Sequence, residues 1–313
     1  MKPLSNAIAQ NALGLASKAI ESSDRVLVTG ATGWFGQTAV ALVELLGIQK
    51  KLIASRSRDF MIGSREFHAE VWNDVSIRQF KPTVVIDAAY ITREFANSFS
   101  GNDYVTQNRL LTNRLISLVE IPTLRKVVTF SSGDAAKHLT KETAVGIDKD
   151  PYGFLKFEAE NAVAEVFSKQ GIDYSIIRAW SLSGALVTKI HGFAFSDLIA
   201  QALNGRVEVH ANRRVYRRYC LIEEAIAIGL NHNSSIDGVL DTGGSLIEIH
   251  DLSAQIVGLV NPLASVTEAD YEGNTNDCYF SNNSSWERSC KKSGLLPLSI
   301  TDQITHVFNW MKD

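Results

Sequence analysis

The feature that most constrains the fold of this chain is a glycine-rich segment near residue 30. A short apolar run at residues 26–28 leads into Thr29-Gly30-Ala31-Thr32-Gly33-Trp34-Phe35-Gly36, and a helical pattern follows. In a strand–turn–helix unit with this spacing, the first glycine permits a tight turn, the second lets a pyrophosphate approach the backbone, and the third lets the helix pack closely. N–H groups at the helix start would bind the phosphates.

The alternative for this segment is a glycine-rich turn without a ligand. Its position directly after the first predicted strand favours a dinucleotide-binding turn. The predicted cofactor contacts in this turn are Gly30, Thr32, Gly33, Trp34, Phe35 and Gly36.

Short apolar runs alternate with helical segments from residue 25 to about residue 180. This rhythm predicts an α/β fold with a doubly wound parallel sheet of the Rossmann type, covered by helices on both faces. The rhythm is lost in the later part of the chain. We therefore expect a helical extension (residues 1–24), a dinucleotide-binding core (25–180) and a smaller C-terminal substrate-binding lobe (mainly 181–313), from which some segments return to the core.

The composition excludes several classes of partner. A net charge of -3 offers no electrostatic case for nucleic acid or an anionic membrane. No apolar run approaches the ~20 residues of a transmembrane helix, and the first residues lack a signal-peptide core. Cys220, Cys278 and Cys290 have no metal-like spacing. We expect a cytoplasmic protein that binds no metal, no nucleic acid and no membrane.

The end of the second predicted strand bears on the choice of cofactor. An NAD enzyme commonly places an acid there for the ribose hydroxyls, whereas an NADP enzyme offers an arginine to the 2′-phosphate. The chain has Arg56 and Ser57 at this place and no acid before Asp59. Arg56 and Ser57 are therefore predicted to bind the phosphate of NADP. NAD as the cofactor, with a solvated basic loop, is the alternative.

Three further residues have the pattern of an oxidoreductase site. Tyr152 and Lys156 are four residues apart behind Pro151, which predicts that they share one face at the start of a helix. The ammonium group and a nicotinamide ring would lower the pKa of the Tyr152 hydroxyl toward a useful acid or base. Ser132 ends a predicted strand, where open α/β sheets bind ligands, and would hold a substrate oxygen. The alternative for Tyr152 is an ordinary surface tyrosine.

These motifs, in this order, resemble the extended short-chain dehydrogenase/reductase family, the NAD-dependent epimerase/dehydratase group, over residues 25–313. The resemblance implies a nucleotide-sugar substrate, hydride transfer at the sugar C4 with Tyr152 as acid/base, and contact between Lys156 and the cofactor. It also implies a homodimer formed through the helices near residues 104–120 and 152–170. Further cofactor-site residues that it implies are Asp74, Val75, Ala88, Ala89 and Asn108.

The resemblance also points to an arginine for the substrate. Residues 218–224 are similar to an Arg-Asp-Phe-x-x-x-x-Asp stretch whose arginine holds the nucleotide diphosphate, which implies that Arg218 binds substrate. Tyr219 then stands where the family has aspartate. Arginine suits this role because its planar fork can bond two phosphate oxygens.

The residues after Ser132 bear on the type of reaction. Family dehydratases have a Thr-x-Glu or Thr-x-Asp pattern there, so Asp134 lies where the resemblance implies a C5 base. A turn-forming aspartate after glycine is an equal alternative. An epimerase, a dehydratase, an NADPH-dependent 4-keto-sugar nucleotide reductase and a non-catalytic NADP-binding regulator all stay open at this point.

Overall fold

A computed structural model describes residues 2–99, 103–140, 142–232, 238–273 and 275–312. The strands are β1 Arg25–Thr29, β2 Gln49–Ile53, β3 Arg58–Ile62, β4 Arg65–Ala69, β5 Val84–Asp87, β6 Lys126–Ser132, β7 Asp173–Ala179, β8 Leu182–Ser183, β9 Arg206–Val209, β10 Val215–Leu221, β11 Val239–Asp241, β12 Ser245–Glu248, β13 Ser265–Glu268 and β14 Asp277–Tyr279.

The helices alternate with the strands through the first half of the chain. They are α1 Gln10–Ala16, α2 Trp34–Leu45, α3 Asp74–Phe80, α4 Asp103–Ser117, α5 Pro151–Lys169, α6 Ala194–Leu203, α7 Ile222–Asn231, α8 Ile249–Val260, α9 Ser284–Ser293 and α10 Ile300–Met311. In the ranges that the structure describes, no helix combines the length and the apolar character that a membrane span requires.

The central sheet has six strands in the order β11-β7-β6-β5-β1-β2, and every neighbouring pair is parallel. Its inner strands are continuously buried, as in Val26, Leu27 and Val28, because helices cover both faces. The chain order along the sheet reverses direction at β1, next to β5, which is where ligands bind in open α/β sheets. The predicted doubly wound α/β fold is confirmed.

An antiparallel hairpin, β3 with β4, follows the end of β2. Phe60 and Phe67 lie opposite each other in it, with ring centroids 5.8 Å apart. This hairpin is not part of the sequence prediction. It stands next to the loop that contains Arg56 and Ser57.

A second hydrophobic core lies outside the central sheet and is formed by α6, α8, α10 and strand β10. Its largest buried side chains include Phe195, Leu198, Tyr219 and Leu252. Helix α7 and strand β11 return to the central sheet, where α7 packs against β6 and β7. The residue limits of the three predicted domains stay a prediction.

The first residues of the chain pack onto the core. A 3-10 turn, Leu4–Ala7, and helix α1 contact α2 and α7. Leu4, Ile8 and Leu15 are buried in the main hydrophobic core. This segment therefore covers apolar surface of α2 and α7 that would otherwise face water.

Candidate active site

The glycine loop connects β1 to α2 at the centre of the sheet. Gly30 has a φ of 61°, and a Cβ at this position would overlap the carbonyl oxygen of Ala88. A Cβ at Gly36 would overlap the carbonyl oxygen of Gly30. At Gly33, by contrast, the nearest atom to a Cβ would be 3.5 Å away, so the loop is open on that side. Gly30 and Gly36 thus permit close backbone packing, and Gly33 leaves space for a ligand.

This open side fits the pyrophosphate of a dinucleotide. Helix α2 begins at Trp34, and the first N–H groups of a helix have no partner within the helix. Such groups bind anions. The hydroxyl of Ser131, at the end of β6, is buried without a hydrogen-bond partner in the described structure. The residues present therefore suit a bound dinucleotide at the switch point of the sheet.

A cavity of about 770 Å³ extends from the glycine loop into the cleft beside the second core. It brings together the catalytic residues predicted from the sequence, Ser132, Asp134, Tyr152 and Lys156. The predicted cofactor residues on its wall are Trp34, Phe35, Ala88, Ala89 and Lys156.

The other predicted cofactor residues lie outside this wall. Arg56 and Ser57 are exposed in the loop after β2, where the Ser57 Oγ lies 3.3 Å from the His68 Nε2. Asp74 begins α3 and accepts a hydrogen bond from the indole of Trp72 at 2.9 Å, and Val75 is 66% exposed. These positions would face the adenosine end of a dinucleotide that enters at the glycine loop.

Asn108 is buried on α4, and its amide is used within the protein. It accepts from the backbone N–H of Ile91 at 2.9 Å and donates to the carbonyl of Ile91 at 3.2 Å. Asn108 therefore holds the loop after β5 in place. Any effect of Asn108 on the cofactor would act through that loop.

Tyr152 and Lys156 lie one turn apart at the start of α5. Asp150 caps this helix and accepts from the N–H of Gly153 at 3.1 Å. The Lys156 Nζ donates to the carbonyl of Phe130 at 2.8 Å. Burial lowers the pKa of Lys156 to about 7, while the carboxylates of Asp87 and Glu160 act in the opposite direction.

The pKa of Tyr152 differs from the sequence expectation. Burial is the largest cause and raises this pKa, and the nearby Ser132 hydroxyl and Arg93 guanidinium partly oppose it. The expectation of a lowered pKa considered only the charges of the motif and did not include desolvation in the cleft. Such a buried hydroxyl keeps its proton until a positive charge is placed beside it.

Ser132 and Asp134 lie at the end of β6. The Ser132 Oγ is 3.3 Å from the Tyr279 hydroxyl and accepts from the N–H of Asp134 at 3.2 Å. The carboxylate of Asp134 is 2.6 Å from Arg93 and 2.5 Å from Lys137. Each of its two oxygens is therefore paired with a basic side chain.

Three cavity residues were not anticipated from the sequence. Arg93 also lies over the Tyr152 ring, 5.1 Å from its centroid. Trp180 donates to Asp241 at 2.8 Å, and its ring lies 5.0 Å from that of Tyr279. The indole fills the space beside Gly133, where a Cβ would overlap it. Arg93 and Tyr279 belong to no motif, so the sequence carried no signal for them.

The structure does not place Arg218 on the wall of this cavity. Side chains alternate along a strand, and on β10 Arg217 and Tyr219 face the cavity. Arg218 points to the other face, where it donates to the carbonyl of Gly244 at 3.1 Å and lies over the ring of Phe280. Arg217 is 3.0 Å from Asp277 at the cavity wall. Arg217 therefore lies on the cavity wall, and Arg218 does not.

Comparisons with known proteins agree with this architecture. The model of the NAD dependent epimerase/dehydratase family matches residues 26–230. MoeE5, solved with UDP-glucose and NAD, superposes with a TM-score of 0.67 at 18% identity over 92% of this chain and 98% of that chain. The UDP-N-acetylglucosamine 4-epimerase of Bacillus cereus has a TM-score of 0.68 at 16% identity over 93% and 97%.

A third similar structure is TunA, an NAD-dependent NDP-hexosamine 5,6-dehydratase involved in tunicamycin biosynthesis. Its TM-score is 0.69 at 16% identity, over 92% of this chain and 98% of that chain. Identities this low indicate a shared fold and no more. The comparison with curated protein sequences gave no match.

Proposed function

The chain belongs to the NAD-dependent epimerase/dehydratase family, enzymes of the extended short-chain dehydrogenase/reductase type, and we propose that it transfers hydride at C4 of a nucleotide-linked sugar. The observation that carries this proposal is the convergence of Ser132, Tyr152 and Lys156 on one cavity that also reaches the glycine loop. A dinucleotide at the loop and a sugar in the cleft would meet at these side chains. The substrates named for MoeE5 and the Bacillus cereus enzyme support a nucleotide sugar.

The proposed chemistry assigns one task to each side chain. Tyr152 accepts the proton of the C4 hydroxyl as its tyrosinate during oxidation and returns that proton as its hydroxyl during reduction. The Ser132 hydroxyl holds the same sugar oxygen, and the Lys156 ammonium stabilises the tyrosinate. The bound nicotinamide supplies the hydride acceptor and donor. Arg217 would pair with the diphosphate of the substrate at the far side of the cavity.

Epimerisation at C4 needs only these groups. A dehydratase needs a further base, and Asp134 supports this second candidate because it is buried on the cavity wall two residues after Ser132. Its pairing with Arg93 and Lys137 argues for the first candidate, since a substrate proton would have to compete with these two donors for the carboxylate oxygens. A keto-sugar reductase and a non-catalytic regulator would give different results in the product test below.

The test is mass spectrometry of products after incubation with UDP-, GDP-, CDP- and dTDP-sugars and either cofactor. Epimerisation leaves the mass unchanged but alters retention, dehydration removes one water, and reduction of a keto sugar adds two hydrogens. Tyr152→Phe should lower turnover at least ~100-fold while the fold is retained. The matched control is Tyr271→Phe, which removes a hydroxyl that contacts His250 on the exposed side of the lobe.

Two outcomes would contradict this proposal. Cofactor binding without turnover of any sugar in the panel would favour a regulator. Near-normal turnover of Tyr152→Phe would remove this tyrosine from the mechanism.

For the cofactor we propose NADP, bound through Arg56. The NAD named for MoeE5 makes NAD the alternative. Arg56→Asp should weaken NADPH binding about 10- to 100-fold, because it removes a charge-assisted hydrogen bond to the 2′-phosphate, and should affect NADH little. Fluorescence titration measures both, with Arg206→Ala in the distant lobe as control. Equal affinity of the wild type for NADPH and NADH would exclude this role.

A further inference from the structure

Tyr90 occupies a central position that the proposed mechanism does not use. It lies in the loop after β5, and its ring centroid is 3.4 Å from the Lys156 Nζ. The same ring meets that of Tyr152 edge to face, with centroids 5.8 Å apart. Tyr90 thus contacts both members of the Tyr152–Lys156 pair.

The ammonium of Lys156 has few favourable contacts for a buried charge. Lys156 is 6% exposed and donates to the carbonyl of Phe130 on β6. The carboxylates that act on it are Asp87, at the end of β5, and Glu160, one turn further along α5.

Both carboxylates also serve other donors. Asp87 accepts from the hydroxyls of Thr29 and Thr129 at 2.5 and 3.0 Å. Glu160 is bonded at both oxygens to the guanidinium of Arg178, at 2.8 and 2.6 Å. In the part of the chain that the structure describes, the ammonium also lies against the face of the Tyr90 ring.

We propose that Tyr90 is a positioning residue whose ring face keeps the Lys156 side chain charged beside Tyr152. An aromatic face carries negative potential, and its attraction for a cation is strongest where water is excluded. The hydroxyl of Tyr90 is buried without a hydrogen-bond partner in the described structure, so the ring face makes the contact with the ammonium. A phenyl ring should therefore serve as well as the tyrosine.

The consequence concerns the pH range in which Lys156 is charged. Burial brings its pKa to about 7, so at neutral pH each favourable contact changes the charged fraction. Removing the ring should lower this pKa by about one further unit, the size of a desolvated cation–π contact. The amine would then lose its proton at lower pH.

The direct test is an NMR titration of the protein without cofactor or substrate. The lysines are labelled with ¹³C at Cε, and Lys156 is assigned by the signal that disappears in Lys156→Met. Tyr90→Leu should move the titration midpoint of this signal down by about one pH unit, and Tyr90→Phe should leave it unchanged. The control is Phe95→Leu, which removes an exposed ring 4.2 Å from the Lys189 Nζ and should not alter Lys156.

A catalytic readout follows if the proposed function holds. The alkaline limb of kcat/KM should move to lower pH in Tyr90→Leu by the same amount, and Tyr90→Phe should restore the wild-type profile. If Tyr90→Leu does not fold, as judged by circular dichroism, Tyr90→Met provides a flexible side chain of similar length without a ring.

The proposal is overturned if Lys156 titrates identically in the wild type and the ring-less variant, or if Tyr90→Phe shifts the midpoint as much as Tyr90→Leu. Because the titration needs no turnover, its outcome is separate from the identity of the reaction. Failure of the proposed function would leave the NMR result intact.

Discussion

Arg217 and Arg218 are neighbours in the chain but face opposite sides of β10. Arg217→Ala should raise the KM for the nucleotide sugar about 10- to 100-fold, because a charged hydrogen-bond donor to the diphosphate is lost, and should leave NADPH affinity nearly unchanged. Arg217→Lys should recover part of the loss, since a point charge lacks the planar fork.

The matched control is Arg218→Ala. This change removes the contacts to Gly244 and Phe280 and should lower thermal stability by about 1 kcal/mol, with little change in KM. Steady-state kinetics and thermal unfolding of both variants separate the two roles. A large KM effect confined to Arg218→Ala would mean that the substrate lies on the other face of β10.

At the scale of elements, helix α7 connects the two ends of the chain to the core. Its Glu224 is buried and accepts hydrogen bonds from the Asn11 side chain at 2.7 Å and from the Leu298 N–H at 2.8 Å. Asn11 lies on α1, and Leu298 precedes α10. One carboxylate therefore holds the N-terminal segment and the C-terminal segment against the same helix.

This arrangement predicts a pH dependence of stability. Burial raises the pKa of Glu224 to about 7, so the folded protein keeps the proton that the unfolded chain releases above its ordinary pKa near 4.5. Stability should consequently fall as pH rises from about 4.5 to 7, by a contribution on the order of 3 kcal/mol. Glu224→Gln should flatten this fall.

Thermal unfolding of the wild type and Glu224→Gln between pH 5 and pH 8 measures the difference, with exposed Glu66→Gln on β4 as control. Burial lowers the pKa of His306, but Glu223, at 2.8 Å, and Glu224 together raise it above its ordinary value. The difference between the proteins therefore reports Glu224 together with its effect on His306. Parallel curves for the wild type and Glu224→Gln would contradict the prediction.

At the scale of the whole molecule, α4 and α5 lie side by side and are linked by a bidentate ion pair of Arg109 with Glu158, both at 2.8 Å. Much of the apolar surface of α5 packs against the rest of the chain, because its side chains Val163 and Phe167 are buried. Leu110 on α4 is 40% exposed. The family resemblance implies that these two helices pair between subunits.

We predict a homodimer that Leu110→Lys dissociates, because a charge would be desolvated in the helix interface. Leu263→Lys is the control, since Leu263 is 94% exposed and lies far from both helices in the chain. Sedimentation velocity at micromolar concentration gives the mass. A wild-type monomer, or a dimer insensitive to Leu110→Lys, would contradict this prediction.

The sequence alone determined the parts of this protein that depend on local spacing. Gly30, Gly33 and Gly36 predict their turn because each lies three positions after the one before, and Tyr152 and Lys156 share a face because four residues make about one helical turn. The parallel sheet followed from the alternation of strands and helices. In each case the responsible residues are close in the chain, so a pattern reports their relation.

The tertiary structure alone decided which distant residues complete the cavity. Arg93, Trp180 and Tyr279 come from short segments whose positions depend on long-range pairing, such as β10 with β14. The side of β10 that faces the cleft also depends on this pairing, and a shift of one residue exchanges Arg217 for Arg218. Tyr90 could not be placed over Lys156 because their contact joins two elements that only folding brings together. The burial that sets the pKa values of Lys156 and Glu224 is likewise a property of the whole packed molecule, since desolvation depends on every element around the group.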